Sequence, residues 1–367
     1  MIRVAIVGLG EVARNVHLPA YSHLKHLVKV VAACDPDRAA RAWALGEGRV
    51  PVAFQEVSEM LEKTKPDIVS VCTPPAFHLE HTIAALRCGC HVFCEKPLAD
   101  DLAQTDQIIL ASQQAQRHVV VNTQYPYMKI HAAVKPLIES PEFGRLLYMH
   151  ACHFRRPLAD VGWRVPLRRR VCSDIGVHVF ELMRFFFNDD PVRISAHILD
   201  PVKANRDLIS VVSVDFAEGR GASMLLNRTS QGQERFLVIR LNGESASVET
   251  TMEGKCRIQA GLRPGERRPW LALDWFQGGS AVLEKGDRSK RIATEDLNPW
   301  VSGTMRHFAN FLQSIENGSE PQCTAKHHRI TLALVLAAYD SAEAGRSLEL
   351  APYYFGASEM QRRGSVS

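Results

Sequence analysis

The start of the chain constrains its fold most. Ile2-Arg-Val-Ala-Ile-Val7 is a short apolar run, and Gly8-Leu-Gly10-Glu11-Val12-Ala13 follows with no spacer. A buried strand that turns at once into a glycine-rich helix start is the G-x-G-x-x-A form of the dinucleotide-binding turn. Gly8 permits the tight turn, and Gly10 lets backbone approach a pyrophosphate. Ala13 lets the helix lie close on the strand, and Glu11 and Val12 complete the turn whose N-terminus faces the phosphates. Such a match is weak alone. The next strand, 28–34, strengthens it by ending at Asp35, about 20 residues on, where a carboxylate accepts bonds from ribose hydroxyls. A carboxylate there repels a 2′-phosphate, which favours NAD. Arg38 close by leaves NADP as the alternative.

Beyond this unit, helical patterns at 36–46, 54–64, 79–88 and 103–115 alternate with strands at 67–72, 91–94 and 118–121. That alternation implies right-handed crossovers and a parallel sheet, in a first domain covering 1–122. At 367 residues the chain suits two domains. Its net charge of +4 gives no argument for nucleic acid. The nine cysteines show no disulfide-framework spacing, which fits reduced thiols and a cytoplasmic location. Cys90 and Cys94 read as small buried hydrophobes rather than metal ligands. The first residues read as a strand rather than a leader, and no apolar run is long enough to span a membrane.

Two strands end in the residues on which a site is expected. They are Val69-Ser-Val-Cys-Thr73-Pro74-Pro75-Ala-Phe77-His78 and Cys90-His-Val-Phe-Cys94-Glu95-Lys96-Pro97. Ligands of open parallel sheets sit at such strand ends. Lys96, fixed between a carboxylate and a proline, is placed for proton transfer or charge stabilisation, and burial can lower a lysine's pKa. Together with Ala84-Ala-Leu-Arg-Cys-Gly89, these stretches closely resemble the Gfo/Idh/MocA oxidoreductase family. The resemblance implies an N-terminal Rossmann domain and a C-terminal α+β domain, over 123–350, with a large, mostly antiparallel open-faced sheet. A mobile tail is expected over 351–367. It further implies that Lys96 lies in the active site and that Thr73, Pro74, His78 and Glu95 lie near the cofactor. The open sheet face implies a homodimer or homotetramer.

Ser173-Asp174-Ile-Gly176-Val-His178 resembles the family's D-x-G-x-H helix start. Asp174 and His178, four apart, share one helical face. A lysine, a carboxylate and an imidazole are the groups that a ketone–alcohol interconversion needs. The expected catalytic set is therefore Lys96, Asp174 and His178, with no metal required. Runs from Ile194, Ile209, Gly221 and Arg235 read as an antiparallel meander. The stretch 262–299 reads as a long excursion, and helices are expected at 305–316 and 329–344. Gln124 stands where many relatives carry an arginine, and Tyr125 follows it. Arg155, Arg156, Arg164, Arg168, Arg169 and Arg170 crowd the approach to Asp174. Guanidinium forks pair with phosphate or carboxylate. Gln124, Tyr125, Arg156, Trp163, Arg164, Arg168 and Arg169 are the expected substrate residues, and an anionic polyol or keto-sugar is the expected small-molecule substrate. A solvated loop or a subunit contact is the competing account of the arginines. The reading as a whole is an NAD(P)-dependent oxidoreductase of a sugar, cyclitol or related polyol. Its alternatives are glycoside cleavage with a retained NAD and a non-catalytic dinucleotide sensor.

Overall fold

The computed structural model describes residues 1–157, 167–232, 234–252 and 278–355, and the backbone alone of two strands between 256 and 275. The first layer is a parallel sheet of β1 (Ile2–Val7), β2 (Val28–Cys34), β3 (Ala53–Phe54), β4 (Ile68–Val71), β5 (His91–Cys94) and β6 (Val119–Val121). Their order is β3-β2-β1-β4-β5-β6. The crossover helices are α1 (Leu18–His23), α2 (Arg38–Leu45), α3 (Val57–Thr64), α4 (His78–Arg87) and α5 (Leu102–Ala115). The central strands are near-continuous apolar runs because helices cover both faces. Strand order reverses between β1 and β4, so a crevice opens beyond their carboxyl ends.

After α6 (Lys129–Ala132) and α7 (Val134–Ile138), the chain builds a second, larger sheet. Its elements are β7 (Leu146–Phe154), α8 (Val177–Phe187), β8 (Arg193–Leu199), β9 (Ile209–Asp215), β10 (Gly221–Asn227), β11 (Arg235–Gly243) and β12 (Ser247–Thr251). There follow β13 (Cys256–Leu262), β14 (Pro269–Trp275), β15 (Ser280–Lys285), β16 (Arg288–Thr294), α9 (Pro299–Asn317), α10 (Ala325–Ala344), β17 (Leu348–Glu349) and α11 (Ala351–Tyr354). The nine-stranded order is β16-β15-β12-β11-β7-β10-β9-β8-β17, while β13 and β14 pair separately. Only the β7–β10 pair in that sheet is parallel. Burial alternates along β9 and β10, and the inward Ala222, Met224 and Leu226 join a core with Val177, Phe180 and Leu182 of α8.

Three expectations need correction. The supposed excursion at 262–299 contains β15 and β16, outer strands of the large sheet. The first closing helix begins at Pro299, not Met305, because the Asn298 side chain caps it by accepting from the Val301 amide. Its Phe308, Phe311 and Leu312 then pack against Val4, Ile6, Phe93 and Val120, so α9 serves as a layer of the first sheet. Third, the expected tail starts as α11, whose Tyr353 and Tyr354 carbonyls both accept from Arg329. Residues 356–367 lie outside the described part. No described helix is long and apolar enough to cross a membrane.

Candidate active site

The crevice is built first by glycine. Gly8 has φ +89°, and a β-carbon there would lie 2.8 Å from the Cys72 carbonyl carbon and the Thr73 nitrogen. The turn after β1 can therefore press on the end of β4 only as glycine. Gly10 is exposed, and a β-carbon on it would meet nothing within 4 Å. That open backbone lies at the start of the first helix, with Glu11 exposed, Val12 half-buried and Ala13 fully buried beneath. Asp35 ends β2 as expected, and its carboxylate is held at both oxygens. Oδ2 accepts from the Leu9 amide and Oδ1 from the Asp37 amide, each at 2.8 Å. Arg38 is exposed at the start of α2. These residues fit a dinucleotide: an open glycine at a helix N-terminus for the pyrophosphate, and a fixed acid beside it for a ribose.

Lys96, Asp174 and His178 come together although 78 and 82 residues separate the lysine from the other two. Lys96 Nζ donates to Asp174 Oδ1 at 2.6 Å and to the Asp174 carbonyl at 2.9 Å. The helix that carries Asp174 opens with a π turn at Cys172–Gly176, a widening often found at functional sites, and continues as α8. His178 is buried one turn later, its ring stacked on Tyr125 with centroids 4.0 Å apart. Burial, reinforced by the Lys96 charge, pushes its pKa down to about 3, so the imidazole is neutral near pH 7. Among the described residues, its Nδ1 and the Oε1 of buried Gln124 have no hydrogen-bond partner. An orphaned polar atom on a histidine within electrostatic reach of Lys96 suits a polar ligand.

Two positioning groups escaped the sequence reading. The first is His17, fully buried at the end of a π turn, Ala13–His17. Its Nε2 meets Glu95 Oε1 at 2.7 Å, and its Nδ1 meets Ser70 Oγ at 3.0 Å. Asn122 donates to the same Glu95 oxygen at 2.7 Å and to Thr304 Oγ1 of α9 at 3.1 Å. Burial alone would raise the Glu95 pKa; its hydrogen bond and charge interaction with His17 bring it down to about 2. Burial opposes charge on His17, but Cys72, Tyr21 and Glu95 around it raise its pKa well above the ordinary value. Glu95 Oε2 also accepts from the Lys96 amide at 3.3 Å, so this buried pair anchors the backbone of the lysine. The second group is Asp207, in the loop before β9. It accepts from the Arg170 and Cys172 amides and from Tyr339 Oη, and so caps the helix that presents Asp174.

Other expected residues are placed differently. Thr73 and Pro74 line the crevice half-buried, and Thr73 Oγ1 lies 3.2 Å from His81 Nδ1. His78 is fully buried; its ring nitrogens lie 2.8 Å from the Thr73 and Pro97 carbonyls and tie the two strand-end loops together. Glu95 likewise faces inward, as an anchor. Tyr125 is buried and stacks on the His178 ring. Arg156 is exposed, and its amide donates to Glu234. Arg168 and Arg169 are exposed, the latter 4.8 Å over the Tyr339 ring. Half-buried Arg170 feels the Asp174 charge, and Arg206 and Arg228 lie in electrostatic reach of Arg170 itself. Trp163 and Arg164 lie outside the described residues.

A parallel sheet with this glycine turn and acid, facing a lysine–carboxylate–histidine set, defines a dinucleotide-dependent oxidoreductase. Comparison with known proteins makes the class specific. Residues 2–123 match the family model described as oxidoreductase family, NAD-binding Rossmann fold, and residues 131–249 match the GFO/IDH/MocA C-terminal domain. The chain is 31% identical over 360 residues to D-glucoside 3-dehydrogenase of Escherichia coli, covering 95% of this chain and 97% of that one. It is 28% identical to inositol 2-dehydrogenase of an Arthrobacter species, covering 83% and 86%. An Agrobacterium radiobacter oxidoreductase crystallised with NAD+, L-tartaric acid and magnesium shares the fold at TM-score 0.79 and 18% identity, covering 95% of this chain and 98% of that one. The protein belongs to the Gfo/Idh/MocA family and is an NAD-binding oxidoreductase acting on CH–OH groups.

Proposed function

We propose that the protein interconverts a secondary alcohol and a ketone on a sugar, cyclitol or related polyol, with NAD as the hydride carrier. The observation that carries this reading is the Lys96–Asp174 pair, set at the carboxyl ends of the parallel strands with neutral His178 beside it. Names of relatives such as D-glucoside 3-dehydrogenase and inositol 2-dehydrogenase support the substrate class. Gly8, Gly10 and the helix start at Glu11 would hold the pyrophosphate, and Asp35 the adenosine ribose. Bound NAD supplies the acceptor for the substrate's hydride. Lys96 Nζ holds the reacting oxygen and stabilises negative charge on it. Neutral His178 has a lone pair to take the hydroxyl proton in the oxidative direction and returns it in the reductive one. Asp174 fixes the Lys96 ammonium and binds a neighbouring hydroxyl. His17 and Glu95 hold the lysine backbone so that its side chain reaches Asp174.

A second substrate reading, an anionic polyol, rests on Arg170, which feels the Asp174 charge and has Arg206 and Arg228 in electrostatic reach of its own guanidinium, rather than on Arg168 and Arg169. Both readings are tested by nicotinamide absorbance with NAD+ and NADP+ against glucosides, inositols, apiose, uronic acids and sugar phosphates. Reduction of NAD+ by a neutral polyol supports the first. Preference for its uronate or phosphate, lost in Arg170→Gln, supports the second. No reduction by any polyol contradicts both.

A further inference from the structure

Three groups that the reaction does not use meet where the end of β6, the middle of α8 and the start of α10 converge. Glu181 comes from α8, Cys323 from the turn after α9, and His327 from the first turn of α10. Glu181 Oε1 lies 2.7 Å from His327 Nε2 and 3.8 Å from Cys323 Sγ, and all three ligand atoms fall within 4.8 Å of one another. Cys323 holds φ +56°, and its carbonyl accepts the Val121 amide at 2.9 Å, so its backbone is fixed to the edge of the first sheet. The other carboxylate oxygen, Oε2, accepts from Thr331 Oγ1 at 2.7 Å and lies 3.8 Å from Arg184 Nη1. That support orients the carboxylate and leaves Oε1 for the sulfur and the imidazole, as outer partners orient metal ligands.

We propose that Glu181, Cys323 and His327 form a binding site for a zinc-class divalent cation. One sulfur, one nitrogen and one oxygen donor match the borderline preference of zinc, cobalt and their neighbours. Magnesium and calcium prefer all-oxygen sets. Three protein ligands leave a fourth tetrahedral position for water. Glu181 and Cys323 are buried, while the His327 side chain is 38% exposed, which gives an ion a route in. Binding replaces the thiol proton of Cys323 and the hydrogen bond between His327 and Glu181. A metal-bound cysteine is a thiolate, so binding releases a proton and strengthens as pH rises. His178 sits one turn before Glu181 on α8, so the ion would clamp the helix that carries it to α10.

The test uses untagged, chelator-stripped full-length protein. Zinc chloride is titrated by calorimetry, and cobalt(II) is followed by its thiolate charge-transfer absorption. The expected result is one ion per chain, a cobalt–thiolate band, and proton release that varies with buffer. Cys323→Ser should abolish the band, and His327→Gln should weaken binding by at least about tenfold. Cys88→Ser, at an exposed cysteine, should leave both unchanged. No zinc binding overturns the proposal, as does a thiolate band that survives Cys323→Ser or disappears in Cys88→Ser. His327→Gln guards the test against a folding defect at Cys323, because its side chain is partly exposed.

Discussion

Glu95 and Lys96 are adjacent, yet each enters an ion pair of a different kind. Glu95 turns inward to His17, with side-chain exposures of 9% and 0%. Lys96 turns outward to Asp174, with exposures of 14% and 32%. The inner pair is closed on every side by Ser70, Tyr21, Asn122 and Thr304. The outer pair is open to a ligand. A buried pair resists being broken, because the surviving charge is left without solvent. An accessible pair can exchange partners, as a group handling a reacting oxygen must. One short strand end thus supplies a fixed anchor and, in the proposed function, a working group.

The largest expected effect lies on the outer pair. Lys96→Ala should lower kcat by about 10²–10⁴-fold while NAD affinity, read by nucleotide fluorescence, stays near wild type. On the inner pair, His17→Ala should lower stability by about 3–5 kcal/mol, read by chemical denaturation, with a smaller change in kcat once folded enzyme is assayed. If His17→Ala leaves stability untouched, the anchor account is wrong.

Acid sharpens the contrast further. The folded-state pKa of Glu95, about 2, lies below its ordinary 4.5. Its stabilisation is therefore complete above pH 4.5 and is lost as pH falls from 4.5 toward 2. His178, held at about 3 against an ordinary 6.5, favours the folded state less and less as pH falls from 6.5 toward 3, because the unfolded chain binds the proton first. His178→Asn should flatten the stability loss between pH 6.5 and 4.5, whereas Glu95→Gln should flatten only the part below 4.5. For the same reason kcat/KM should show no His178 inflection near pH 6.5. The smallest effect is on stability in Asp174→Asn, within about 1 kcal/mol, because that pair is partly solvated.

Legibility in the sequence follows the range of the interactions. The parallel sheet was readable because its apolar runs and its glycine turn are local. Lys96, Asp174 and His178 were readable through motifs that carry the family resemblance, although only the fold brings Lys96 to Asp174. The His17–Glu95 pair was not, since its partners lie 78 residues apart and a lone histidine in a helix leaves no pattern. The Asn122–Thr304 bond spans 182 residues, and nothing near Thr304 marks it. β16 was missed because Arg288-Ser-Lys-Arg291 is a charged, mostly exposed edge, and such edges read as loops. The His78 link between two strand-end loops was not legible, because contacts to two backbone carbonyls require no partner side chain that a sequence could show.

The most direct test is to measure kcat and thermal midpoint side by side for Lys96→Ala and His17→Ala, using the best substrate from the polyol panel. The account predicts opposite patterns: Lys96→Ala keeps its midpoint within a few degrees and loses turnover, and His17→Ala loses its midpoint and keeps most turnover below it. Turnover that survives Lys96→Ala would contradict the account, because the pair open to ligand would then not be the one that does the chemistry.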